Sequence, residues 1–173
     1  MNSALEIVRQ SGIDALNMRT LAKKCNCSTQ PIYLSFSGID ELKEELLKLI
    51  SDMFDKRIER EMAAGKYPEY KATGMGYIFF AKEEKELFKF LLMRNRADES
   101  DWEKTSFDKS TTIITKNYGL YKNEAFKLHA EMWIFVHGIA TMLATGYLNW
   151  DDETISEMVT DVFAEKKKKG ENK

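Results

Sequence analysis

Apolar residues recur along most of the chain at intervals of three and four, the spacing of a helix with one buried face. The pattern predicts helices over residues 3–11, from a capping-box-like Ser37-Gly38-Ile39-Asp40 to about 63, from 69 to about 82, over 87–96, about 107–118 and 132–150, and from 152 to about 166. Two shorter helices fit inside 18–36. The breaks fall where they should: Gly12 caps the first helix, Gly65 and Pro68 stop the fourth, Lys82 to Glu86 is a charged turn or helix start, 97–104 is a polar loop, and Gly119 ends another helix. The fold class is all-α. The fourth helix carries Leu42, Leu46, Leu49, Ile50, Met53, Phe54, Ile58 and Met62 on one stripe and is too long for a small N-terminal unit alone. It is expected to be shared between a domain at 1–45 and a helical domain at 46–166, with 167–173 a disordered tail.

The polar positions single out the stretch from Met18 to Phe36, MRTLAKKCNCSTQPIYLSF. Asn17 is a good N-cap for its first helix, in which Leu21 and Ala22 turn inward. Cys25-Asn26-Cys27 makes a corner, with Asn26 where a left-handed residue is wanted. Ser28 is a good N-cap for the second helix, and Pro31 falls in its first turn, where a missing N–H costs nothing. Ile32 and Phe36 point toward a small core with Leu5, Val8, Ile13 and Leu16, while Thr29, Gln30, Tyr33 and Ser35 stay toward solvent. So short a helix buries little and serves to present its polar face. The recognition helix of a helix-turn-helix does this in the DNA major groove.

Taken from Ala4 to Leu46, the order of Gly12, Leu16-Asn17-Met18-Arg19, Leu21-Ala22, Ser28, Ile32-Tyr33, Phe36 and Leu42 resembles the N-terminal DNA-binding domain of TetR/AcrR-type transcriptional regulators. The resemblance covers about a quarter of the chain. It departs at the corner glycine, here Asn26, and at a phosphate-binding lysine opening the fourth helix, here Ile39. The basic N-terminal arm of many relatives is expected to be absent or very short. The resemblance implies a homodimeric repressor that binds a palindromic operator and is released by a small-molecule effector. It assigns phosphate contacts to Tyr33, Ser28 and Ser35. From their positions, Thr29 and Gln30 are candidate base readers, since Gln pairs well with adenine, and Pro31 can touch a thymine methyl. Arg19 is placed for a phosphate or a guanine edge. Lys43 is a candidate to hold the phosphate that Ile39 cannot, with Lys23 and Lys24 as general electrostatic support.

From Met132 to Trp150 run 19 residues without Asp, Glu, Lys or Arg. The length would permit a membrane span, but His137, the threonines, Asn149 and two glycines argue for a helix buried on nearly all sides. One face (Phe126, Ala130, Trp133, His137, Ala140, Ala144) is expected to pack inside the subunit. The other, Met132, Phe135, Ile139, Met142 and Leu143, is expected to join Ile155, Met158, Val159 and Val162 in a four-helix dimer interface, the arrangement the resemblance also implies. Met75, Ile78, Phe79, Phe88, Leu92, Phe107, Trp133 and His137 are candidates to line an effector cavity suited to a hydrophobic or aromatic molecule, although they serve equally as solid core. Gly74 and Gly76 weaken their helix and fit either a close helix approach or a cavity.

Composition adds limits. At 43% apolar and 31% charged the chain is an ordinary globular sequence, and its formal charge of −2 gives no global signal for nucleic acid. Residues 1–40 hold four basic and three acidic side chains, so DNA affinity must come from local placement. Cys25 and Cys27 are too close in sequence for a relaxed disulfide and lack further zinc ligands. They are expected to be buried or half-buried reduced thiols of a cytoplasmic protein. The two histidines, His129 and His137, lie two turns apart with no carboxylate or cysteine placed to complete a catalytic or metal set. No enzyme, metal, cofactor, leader peptide or membrane segment is expected. The alternative to a DNA-binding regulator is a helical protein-interaction module that does not bind DNA, and the near-neutral N-terminal domain suits it.

Overall fold

The computed structural model describes residues 1–95 and 102–171, with 102–106 and 169–171 by backbone alone, and these form nine α-helices and no strand. They are α1 (Asn2–Ser11), α2 (Met18–Lys24), α3 (Gln30–Ser35), α4 (Ile39–Ala63), α5 (Glu69–Glu83), α6 (Lys85–Leu92), α7 (Trp102–Tyr118), α8 (Lys122–Ala144) and α9 (Asp152–Glu171). Most of the expected loop at 97–104 lies outside the described residues, and α7 is already helical at Trp102. α9 continues past residue 166 to Glu171.

Ala4, Val8, Leu16, Met18, Leu21, Ala22 and Ile32 close a small core over Leu42 and Leu46 of α4, with Leu5, Ile13 and Phe36 partly buried around it. Gly12 follows α1 at φ 78 and ψ 171, an extended positive-φ backbone that favours glycine, and its N–H returns to the Val8 carbonyl. α4 starts after Gly38 with no side-chain cap, so the expected Ser37–Asp40 capping box does not form; the Ser37 N–H and hydroxyl instead donate to Glu41 Oε2, at 2.6 and 2.7 Å. The second half of α4 lies along α5, and Gly76 allows the approach, since a Cβ there would stand 2.8 Å from the Ile58 Cα.

The helix enclosed on all sides is α5, not α8: every residue from Met75 to Ala81 is buried. α8 begins well before the uncharged run and stops at Ala144. There Thr145 Oγ1 donates to the Thr141 carbonyl at 2.8 Å, Gly146 takes φ 74 and the Tyr147 N–H returns to the Met142 carbonyl. Among the described residues no helix is long and apolar enough to cross a membrane.

The helical phase of α8 corrects the expected interface. Met132, Ile139 and Leu143 are buried in the chain's own core with Ile155 and Val159 of α9, where α8 meets its neighbours. The apolar residues left uncovered are Ile134 (66% exposed) and Met142 (42% exposed), beside half-buried Phe135 and, on α9, half-buried Met158 and Val162. Phe126, expected inside, is exposed.

Candidate functional site

Local chemistry builds the α2–α3 unit. The Asn17 side chain accepts from the Arg19 and Thr20 N–H groups at 3.0 and 2.9 Å, and Thr20 Oγ1 accepts from the Asn17 N–H at 3.0 Å. This closes a capping box at the start of α2. Asn26 supplies the corner at φ 53. That corner turns Cys25 and Cys27 outward as exposed free thiols, against the expected burial. α3 starts later than expected: Thr29, not Ser28, is the residue before its first turn, and no side chain caps it.

Ser28, Gln30, Pro31, Tyr33 and Ser35 are exposed and Thr29 is half-buried, while Ile32 anchors α3. The Ser35 hydroxyl is turned back to the Pro31 carbonyl at 3.2 Å. Leu34, 83% exposed, is an outward apolar residue absent from the expected contact set. Its signal in the sequence is its position off the Ile32–Phe36 stripe. Two of the four cations in residues 1–40 are engaged, Arg9 with Glu84 and Lys24 with Glu6. Arg19 and Lys23 are exposed and Lys43 half-buried, and none forms an ion pair among the described residues.

The second site is a cavity of about 280 Å³ between α4, α5, α7, α8 and α9. Its wall is Phe54 and Ile58 of α4; Pro68; Tyr70, Lys71, Thr73, Gly74 and Tyr77 of α5; Ser110 and Tyr118 of α7; His129, Met132, Trp133 and Val136 of α8; and Val159, Thr160 and Phe163 of α9. Of the eight candidates, Trp133 alone is in this wall. Met75, Ile78 and Phe88 are fully buried core and Phe79 lies under the Arg57 guanidinium. Leu92 packs on the core from its edge, and Phe107 meets His129 and Trp133 edge to face without lining the space. The reason is helical phase: residues 70, 74 and 77 of α5 share the face turned to α8 and α9, and 75, 78 and 79 do not.

The histidine roles also change. His137 accepts or donates through Nδ1 to the Tyr77 hydroxyl at 2.7 Å and stacks on Trp133, whereas His129 lines the cavity. His129 Nδ1 lies 2.9 Å from the Tyr70 hydroxyl, making a second Tyr–His rung between α5 and α8. Burial pushes His129 down to about 4 and raises Tyr70, so both are neutral. The tautomer in which Tyr70 donates leaves fewer groups unmet and puts the histidine proton on Nε2, which is buried without a partner.

Among the described residues, Lys71 is the one side chain of formal charge in the wall. Its ammonium donates to Ser156 Oγ and Thr160 Oγ1, each at 2.7 Å, and sits 4.8 Å from the Tyr67 ring centre. Burial, and then the nearby Lys66, lower its pKa.

A helix-turn-helix unit, a long shared helix and a helical domain enclosing a cavity together make the fold of TetR-like regulators. The structure matches the crystal structure of a TetR-like transcriptional regulator from Rhodococcus sp. RHA1 with a TM-score of 0.71, over 94% of this chain and 90% of that one, at 13% sequence identity. No family model and no curated protein matches the sequence.

Proposed function

We propose that the protein is a DNA-binding transcriptional regulator, acting as a homodimeric repressor that a small-molecule effector releases from a palindromic operator. The observation that carries this reading is α3, which buries Ile32 and turns Gln30, Tyr33 and Leu34 to solvent. A six-residue helix with an exposed Tyr and Leu has no evident structural use for them, and a groove gives them one. Gln30 and Thr29 read bases, Leu34 and Pro31 meet thymine methyls, and Arg19, Tyr33 and Lys43 hold phosphates.

The uncovered Ile134 and Met142 and half-buried Phe135 of α8, with half-buried Met158 and Val162 of α9, pair with the same face of a second copy. Gly138 lies among them with open space where a side chain would be, which suits close helix approach. Such a dimer holds two copies of α3 about one turn of DNA apart. The cavity takes the effector, and the shared α4 carries the change in spacing.

Selection of the purified full chain on random duplex DNA tests the reading. Enrichment of a sequence with two inverted half-sites is expected. A pool that stays random, from protein that light scattering finds folded, would leave the protein-interaction alternative in its place.

A further inference from the structure

We propose that the cavity ligand is an apolar monocarboxylate, its acid group bound at Lys71 and its hydrocarbon part lying along Trp133 and Met132. This rests on the reading of the cavity as an effector site and adds the chemical class of the effector.

The argument starts from charge. Among the described residues the wall contains no aspartate or glutamate, and Lys71 holds the only formal charge there. Surface lysines of this chain readily find carboxylates, as Lys48, Lys56, Lys82 and Lys89 do. Lys71 has two neutral hydroxyls and a tyrosine ring instead. A half-buried ammonium satisfied only by dipoles leaves a positive potential in the cavity, and Lys66 adds to it. A carboxylate is the complement: it takes the third Lys71 N–H.

The remaining surface is apolar. Trp133, Met132, Val136, Phe54 and Phe163 offer rings and methylenes, and Gly74 leaves the wall open where other residues would fill it. A volume of about 280 Å³ is close to the lower bound of ligand pockets and admits a medium-chain or single-ring acid. The unpartnered His129 Nε2 is a second unmet polar atom in the same wall. Both unmet groups seek an acceptor oxygen, which a hydrocarbon or an amine lacks.

Calorimetric titration of the full chain with octanoate, 1-octanol and octylamine tests this directly. Octanoate is expected to bind about tenfold or more tighter than 1-octanol, with octylamine weakest. Lys71→Gln should bring octanoate to within about threefold of 1-octanol, whereas Lys71→Arg and the exposed remote control Lys48→Gln keep most of the preference. Equal binding of acid and alcohol, or an unchanged preference in Lys71→Gln, would overturn the acid assignment and leave the cavity as an effector site. Binding of none of the three probes would overturn both.

Discussion

Arg9 and Glu84, 75 residues apart in sequence, face each other as a two-pronged ion pair, with Nε to Oε2 at 2.7 Å and Nη2 to Oε1 at 2.8 Å. The bond ties α1 of the helix-turn-helix unit to the corner where α5 passes into α6. On α6, Phe88 meets Tyr77 edge to face and His137 at a tilt, and His137 in turn lies on Trp133 in the cavity wall. Cavity and helix-turn-helix are thus joined by a short route besides α4. The pair is partly exposed (41% and 21%), so its worth to stability is small, under about 1 kcal/mol. Glu84→Gln is expected to move the urea midpoint little while reducing the effect of a bound cavity ligand on DNA affinity. An unchanged ligand effect would remove this pair from the coupling route.

Gly76 should tolerate no side chain. Alanine gains about 1 kcal/mol in helix propensity, but its Cβ would press the Ile58 backbone at 2.8 Å, and overpacking of this kind costs about 1–3 kcal/mol. Gly76→Ala is therefore expected to lose stability in urea unfolding. A stabilised variant would mean that α4 and α5 separate easily.

His129 links stability to pH. Its folded-state value of about 4 lies below the ordinary 6.5, so the unfolded chain takes the proton first. The stabilisation is complete above pH 6.5 and is lost as pH falls toward 4, by at most about 3 kcal/mol. Among the described residues, the groups facing this ring are the Tyr70 hydroxyl and the rings of Phe107 and Tyr70, none of them charged. Urea titrations at pH 7.5 and 5 should differ, and His129→Gln should narrow the difference. Equal narrowing by a change at His137 would implicate the other rung.

Helical spacing makes the helices and the small N-terminal core legible, because those depend on local periodicity and caps: Asn17, Asn26 and Gly12 do what their residue types suggest. Rotational phase is harder to read. In a run such as Met132 to Trp150 nearly every position is apolar, so no polar face marks the outside. Spacing alone therefore puts Met132, Ile139 and Leu143 on the outer face, although they point at the core. The same ambiguity sets the cavity along Met75 and Ile78 rather than Tyr70 and Gly74. Lys71 is invisible for another reason: a lysine matters to a cavity only once its neighbours, here Ser156 and Thr160, are known.

Self-association is expected through the uncovered face of α8. Ile134 is 66% exposed and Gly138 has open space above it, so neither contributes to the fold of a single chain. Ile134→Glu and Gly138→Arg are expected to halve the mass by light scattering and leave the helical content unchanged. A dimeric double variant would move the interface elsewhere.

DNA recognition should divide between shape and sequence. Tyr33→Phe removes a hydroxyl assigned to phosphate and should weaken all duplexes alike. Gln30→Ala and Leu34→Ala should each relax the preference at one position per half-site, at about 1–3 kcal/mol for the glutamine. With Arg9 and Lys24 engaged by Glu84 and Glu6, the cations left are Arg19, Lys23 and Lys43. Three per protomer, at about −0.9 each, hold the log–log salt slope of a dimer near −5 or shallower. Anisotropy from 50 to 200 mM salt measures it. A much steeper slope on random DNA would mean that another surface, such as the lysines closing α9, meets the phosphates.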